Sequence, residues 1–295
     1  KLLGDEKAMT RRIISEIEAD AKQFGDDRRT LIQAEQRAVA EVKVVDEPVT
    51  VIVSQKGWLR AQKGHGLVLS ALGFKPGDAL YATFECRSVD PLVVLGSDGR
   101  AYSIDVADLP GGRGDGQPVT SFIELAPGTQ ALHYLAGART TALLLWTAQG
   151  FGFVTRISDA LSRQRAGKTF VALEDGDALQ RPLVLDTNAE GSPVGRLATL
   201  SADGRLLLYP AAEVKTLPRG GRGITLMALD AKEILQSVAQ LAAERDALLI
   251  SGKGRGGTER SATLSAAQQT AYVGKRARRG RKLEVTFKPD RLSRA

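Results

Sequence analysis

Residues 196–226 read RLATLSADGRLLLYPAAEVKTLPRGGRGITL, and this stretch decides the fold. Apolar residues alternate on either side of Asp203-Gly204, a dipeptide that favours a tight β-hairpin turn. Fifteen residues beyond Gly204 begins a basic, glycine-rich run, Arg219-Gly220-Gly221-Arg222-Gly223. Four other stretches share the hairpin form: 49–61 (VTVIVSQKGWLRA), 91–104 (PLVVLGSDGRAYSI), 141–157 (TALLLWTAQGFGFVTRI) and 247–260 (ALLISGKGRGGTER). Their turn glycines, Gly57, Gly99, Gly150, Gly204 and Gly254, lie 42, 51, 54 and 50 residues apart. A period near 50 with two β-runs per unit predicts an all-β, propeller-like domain of five repeats over 48–295, not a helical solenoid. Residues 78–84, 120–125, 168–173 and 223–229 supply further strands. Residues 231–244 break the pattern: Ile234, Leu235, Val238 and Leu241 fall at helical spacing and predict a helical insertion.

Upstream of the repeats, 5–24 reads as a helix with Ile13, Ile14, Ile17, Ala21 and Phe24 on one face and charges opposite. Gly25-Asp26-Asp27 stops it. With no initiating methionine before Lys1, the chain reads as a fragment. Residues 1–30 are then a connector helix whose partner surface lies upstream, and 31–47 are a linker.

The hydrophobic fraction of 43% supports a sizeable core, while 5% aromatic residues argues against stacking platforms for single strands. The charge of +7 is uneven: residues 1–40 are neutral, 41–251 sum to −2 and 252–295 to +9. A polyanion is the expected partner. Nucleic acid is favoured over a membrane, because no basic amphipathic helix accompanies the charge and no apolar run approaches the roughly 20 residues of a span. A solvated basic tail is the competing reading of the C-terminal charge. The single cysteine, Cys86, excludes an internal disulfide framework and fits a reducing cytoplasm.

Each unit carries a short Gly/Arg/Lys run after its hairpin: residues 62–66, 110–114, 163–168, 219–223 and 274–282. Glycine lets a backbone approach a phosphate, and Arg or Lys neutralises it. The candidate DNA-binding residues are Arg60 and Lys63 in the first unit, Arg113 in the second, and Arg163, Arg165 and Lys168 in the third. The fourth unit adds Arg219 and Arg222, and the fifth adds Lys253, Arg255, Lys275, Arg276, Arg278, Arg279, Arg281 and Lys282. Aligned by a repeat, they would form one edge able to follow a duplex without reading its sequence.

No catalytic or metal constellation is expected. His65 and His133 have no Cys, His or carboxylate at ligand spacing. Residues 252–257 (GKGRGG) lack the Gly-Lys-Ser/Thr ending of a phosphate loop. Cys86 has no neighbouring histidine, and Trp58 and Trp146 read as packing residues.

Several stretches carry a family resemblance: FGDDRRT at 24–30, PVTVIVSQKGWLR at 48–60, 155–173 with its RQRAGK run, and the loop at 217–224. Together they resemble the C-terminal part of the A subunit of bacterial type IIA topoisomerases, that of topoisomerase IV best, over essentially the whole chain. The resemblance implies a five-bladed β-pinwheel whose blades exchange strands, with duplex DNA bent around its outer edge. It also implies a cytoplasmic parent in which two A and two B subunits use ATP and Mg2+, held elsewhere, for strand passage, relaxation and decatenation. The DNA-cleaving tyrosine of that family lies upstream of this stretch. Gyrase A subunits carry a Gln-Arg-Arg-Gly-Gly-Lys-Gly box in the first blade; here that place reads only Ala61-Gln62-Lys63-Gly64-His65-Gly66. Bending or capture of a duplex is therefore expected over gyrase-like wrapping. The alternatives are that wrapping domain itself and a protein-interaction propeller with a basic tail; a propeller enzyme lacks a candidate pocket.

Overall fold

The five apolar runs form the central hairpins of five small antiparallel sheets in a computed structural model that describes residues 5–25 and 45–295. These residues divide into an N-terminal unit and a unit beginning at Val44. In the first, α1 (Glu6–Phe24) starts at Asp5, whose carboxylate accepts the N–H of Lys7 and Ala8 at 3.1 and 3.3 Å. The expected apolar face is present and exposed, with Ile17 at 62% and Phe24 at 74%. Asp26-Asp27 and most of the expected linker lie outside the described residues.

In the second unit the hairpin strands are β1 (Pro48–Ser54) and β2 (Trp58–Lys63), then, after a third strand β3 (Leu80–Arg87), β4 (Pro91–Gly96) and β5 (Arg100–Asp105). The turns of the first four hairpins are alike. Gly57, Gly99, Gly150 and Gly204 donate their N–H to the residue three before at 2.9–3.0 Å, with φ between 74° and 83°. This is the three-residue loop that ends on a left-handed glycine, where any Cβ would strain the backbone. Gly254 does not play that part. Its φ is −81°, and the fifth hairpin turns through a longer link with Gly256 and Gly257 at positive φ.

A short strand β6 (Gln117–Pro118) follows the second hairpin, and β7 (Ala131–Ala136) pairs with β4. The third unit holds β8 (Ala142–Trp146), β9 (Phe151–Arg156), β10 (Lys168–Thr169) and β11 (Leu183–Leu185). The fourth holds β12 (Arg196–Ser201), β13 (Arg205–Pro210), β14 (Ile224–Thr225) and β15 (Leu235–Leu241). The fifth holds β16 (Leu248–Lys253), β17 (Glu259–Leu264), β18 (Arg281–Lys282) and β19 (Lys288–Arg294). The expected helix at 231–244 is instead β15, paired with β12 from Arg196↔Leu241 to Ser201↔Leu235. The helical spacing misleads because β15 is buried on both faces: Leu235 and Val238 enter one core, Ala239 and Leu241 the next. The strand expected at 120–125 is a 3-10 turn, Val119–Ser121, followed by loop. Nor are residues 274–295 a solvated tail, since they supply β18 and β19.

Sheet order reveals strand exchange. The sheets run β3-β1-β2-β6, β7-β4-β5-β10, β11-β8-β9-β14, β15-β12-β13-β18 and β17-β16-β19. In the first four, the last strand comes from the following unit. It always pairs with the two residues after the turn glycine: Trp58-Leu59, Arg100-Ala101, Phe151-Gly152 and Arg205-Leu206. Strands β3 and β7 meet at the opposite edge, where the Tyr81 and Tyr134 rings lie edge to face at 5.4 Å. Neighbouring sheets therefore converge on that inner edge, and the exchanged strands form the outer one.

Four apolar clusters fill the spaces between successive sheets. Leu92 and Val94 pack toward the first sheet and Val93 and Leu95 toward the third, so central strands are apolar throughout. Among the described residues no cluster joins the fifth sheet to the first. Each end of the stack is finished separately. Residues 73–79 fold over the first sheet, where Phe74 lies under Arg60 and Lys75 sits 3.3 Å from the Trp58 ring centroid. The face of the fifth sheet turned away from the fourth is mostly polar, with Ser251, Lys253, Ser261 and Arg291, and it lines a cleft together with Trp146, Arg181 and Leu183 of the third unit.

Candidate nucleic-acid interface

Four of the five basic glycine-rich runs, those of the second to fifth units, are the connectors that carry the exchanged strands to the preceding sheets. Each is tied down at an equivalent point before it turns. The N–H of Ala61 donates to Pro110 O at 2.9 Å, that of Val154 to Lys215 O at 3.0 Å, and that of Gly274 to Leu208 O at 2.9 Å. In the third unit's connector, Ser162 N–H donates to Ser103 Oγ at 2.8 Å. The glycines answer to this crossing. A Cβ on Gly116 would stand 2.2 Å from Leu59 O, one on Gly220 2.0 Å from Phe170 O, and one on Gly280 2.5 Å from Leu206 O. At these positions glycine serves the crossing, whereas a Cβ at Gly64, Gly66, Gly111 or Gly114 would meet nothing within 4 Å; the functional signal rests with the cations.

Those cations divide by environment. Arg60 is withdrawn from the candidate set because it is 6% exposed, and its guanidinium donates to Gly114 O and, at 2.8 Å, to Gly73 O. Arg276 is half-buried and donates to Thr225 O. Lys168 donates to Asp159 O at 2.6 Å, Arg165 to Ser121 O at 2.7 Å, and Lys282 to Asp203 O. Lys63 pairs with Glu47 at 2.8 Å, Arg222 with Glu174 and Arg279 with Asp230. These ion pairs are surface pairs, worth about 0–1 kcal/mol, and a phosphate can displace their carboxylates. Arg113, Arg163, Arg219, Lys275, Arg278 and Arg281 are exposed and form no ion pair with another described residue.

Strand exchange brings Arg113, the 163–168 cations, Arg219 with Arg222, and the 275–282 cluster to the same outer edge of successive sheets. The charge grows along it. The first sheet's connector has Arg113 beside Asp115, the second and third carry three cations each (the latter counting Lys215), and the fourth carries six over 275–282. Lys253 and Arg255 lie elsewhere, at the turn of the fifth hairpin. Sequence reasoning missed Arg100, which follows its turn glycine directly and clamps the third unit's connector by donating to Ala166 O and Gly167 O, both at 2.9 Å.

The remaining reactive groups are structural. Burial pushes the Cys86 thiol up to about 11, with Asp90 adding to the shift. His65 Nε2 lies 2.9 Å from Cys86 O, and His133 bridges Tyr81 Oη and Leu179 O, each at 3.2 Å. Among the described residues no three His, Cys, Asp or Glu side chains group as metal ligands, and no helix is long and apolar enough to cross a membrane.

Small sheets sharing strands with their neighbours, with a cationic outer edge, define a β-pinwheel of the gyrase A C-terminal type. The family model described as "DNA gyrase C-terminal domain, beta-propeller" matches residues 142–186 and 196–242, the third and fourth repeats. The chain belongs to the family of C-terminal domains found in the A subunit of topoisomerase IV. It is 36% identical over 99% of its length to the DNA topoisomerase 4 A subunit of Neisseria gonorrhoeae, and 32% over 97% to that of Pseudomonas aeruginosa. It spans only 37% and 38% of those proteins. The solved E. coli ParC C-terminal domain superposes with a TM-score of 0.74 at 29% identity, covering 84% of this chain and 99% of that one.

Proposed function

We propose that the repeat domain binds duplex DNA independently of sequence along its outer edge and bends it. One observation carries the reading: four equivalent connectors place cations on one edge, and the charge is greatest on the fourth sheet's connector. Phosphates spaced regularly along a duplex match such an edge. Among the described residues no helix or ribbon stands there to read bases, which leaves sequence unread. In the parent enzyme this domain would hold a duplex for ATP-dependent strand passage, relaxation and decatenation by an assembly of two A and two B subunits, with ATP and Mg2+ bound elsewhere. Its reduced first-unit loop, 61–66, favours bending over gyrase-like wrapping.

The test is the salt dependence of binding to a linear duplex. With about 5–10 phosphates neutralised, the log–log slope falls near −5 to −9. A slope shallower than about −2 would overturn edge binding. The competing reading, a protein-interaction domain with incidental C-terminal charge, needs substitutions rather than truncation, since removing 274–295 removes β18 and β19.

A further inference from the structure

The exchanged segment of the second unit has a specific local form. Gly114 and Gly116 stand at φ 85° and 87°, Gln117 and Pro118 are extended, and the 3-10 turn Val119–Ser121 leads to Phe122. Residues 64–72 of the first unit repeat it position for position. Gly64 and Gly66 stand at φ 87° and 71°, Leu67 and Val68 follow, and the 3-10 turn Leu69–Ala71 leads to Leu72. In the second unit this form is held against a neighbour: Gly116 crosses Leu59 closely and Val119 is buried. In the first unit it has no sheet to dock on among the described residues. A Cβ at Gly64 or Gly66 would meet nothing within 4 Å, and Val68 and Leu69 are 68% and 51% exposed. The base of the segment is anchored by Gly64 N–H donating to Pro48 O at 2.8 Å, Thr50 Oγ1 donating to Gly64 O at 2.7 Å and Gly66 N–H donating to Glu85 Oε1 at 2.6 Å, so the exposed residues Val68–Ala71 project.

The complementary edge is at the other end of the stack. Strands β2, β5, β9 and β13 each receive an exchanged strand, whereas β17, their counterpart, receives none among the described residues. Beside it a cleft of about 820 Å³ lies between the fifth sheet, through Leu249, Ser251 and Ser261, and the third unit, through Trp146, Arg181 and Leu183.

We propose that residues 64–72 of one chain dock as an exchanged strand on β17 of a second copy. The chain thus carries a donor segment without an acceptor and an acceptor edge without a donor. Docking within one chain would require four close-packed cores to flex until the ends meet, and such cores resist deformation. Strand addition supplies backbone hydrogen bonds, and Val68 and Leu69 supply apolar burial. Because donor and acceptor differ, the contact is heterologous and can propagate from copy to copy. Its consequence is that the outer edges of neighbouring copies run on from one another.

The experiment combines sedimentation of the 295-residue chain over a range of concentrations, without DNA, with disulfide trapping. Singly substituted Val68→Cys and Arg260→Cys chains are mixed under mild oxidation; native Cys86 is buried and stays inert. The proposal expects concentration-dependent association and a disulfide-linked pair that forms from the mixture more readily than from either chain alone. Val68→Asp, at an exposed site, should lower the association constant about tenfold, equivalent to about 1.4 kcal/mol, without moving the unfolding midpoint. Leu69→Ser serves as the second variant. A monomer at every concentration, or association unchanged by Val68→Asp and Leu69→Ser, would overturn the proposal. So would a doubly substituted chain that only closes on itself as a disulfide-bonded monomer.

Discussion

Arg60 and Gly114 are 54 residues apart in sequence and joined by a hydrogen bond, from the buried guanidinium on β2 to the carbonyl of the second unit's connector. The same guanidinium holds Gly73 O and lies 5.5 Å from the centroid of Phe74. One arginine therefore fastens both the exchanged strand and the loop that caps the first sheet. Arg60→Ala should lower stability by about 2–3 kcal/mol, because two carbonyls lose a charged donor. Arg60→Lys should recover little, since a point charge cannot reproduce the planar fork. Urea unfolding of the 295-residue chain measures both.

Gly220 and Gly66 make a matched pair of tests. Both have positive φ, yet a Cβ at Gly220 meets Phe170 O at 2.0 Å and one at Gly66 meets open space. Gly66→Ala should cost about 1 kcal/mol of backbone strain. Gly220→Ala adds a backbone collision to the same strain and should cost at least about 3 kcal/mol. Equal unfolding midpoints for the two variants would contradict the close crossing.

His133 sets a pH dependence. Burial lowers its pKa below the usual value, and Arg181 adds to the shift; Tyr81 Oη, Leu179 O and Arg181 are the polar groups facing it. The folded state therefore holds the neutral ring, and the unfolded chain binds the proton more readily. Its contribution to stability is present above the unfolded pKa near 6.5 and is lost as pH falls from there toward the folded value. Urea midpoints should drop between about pH 7.5 and 5.5, and His133→Gln should flatten that part of the profile.

Charge reversal along the outer edge should reproduce its gradient. Arg278→Glu with Arg281→Glu, on the fourth sheet's connector, should weaken duplex binding more than Arg113→Glu, where Asp115 already offsets the charge. Arg219→Glu with Arg222→Glu should weaken binding to all sequences alike and make the salt slope shallower by about 2. Fluorescence anisotropy with two unrelated duplexes at several salt concentrations decides it. Loss confined to one duplex would contradict backbone tracking.

How much of the fold and of the candidate interface is legible in the sequence follows from the range of the interactions involved. The four similar hairpins are local: an apolar run, three turn residues and a left-handed glycine fit within about a dozen positions, so Gly57, Gly99, Gly150 and Gly204 can be placed by inspection. The resemblance to the A subunit of type IIA topoisomerases rests on such stretches, as do the all-β repeat and the position of α1. Residues 235–241 mislead because two-sided burial removes the alternation that marks a strand. Only the tertiary structure decided where the exchanged strands go, because two-residue strands such as Ile224–Thr225 carry no periodicity and pair with partners about 70 residues away. It likewise decided which cations are surface charges and which, like Arg60, hold the fold, since burial depends on what the rest of the chain lays over a side chain. The basic glycine runs are visible in the sequence alone. That Gly220 and Gly280 serve close crossings, leaving the exposed cations as the candidates for phosphate contact, follows from distances to backbone far away in sequence.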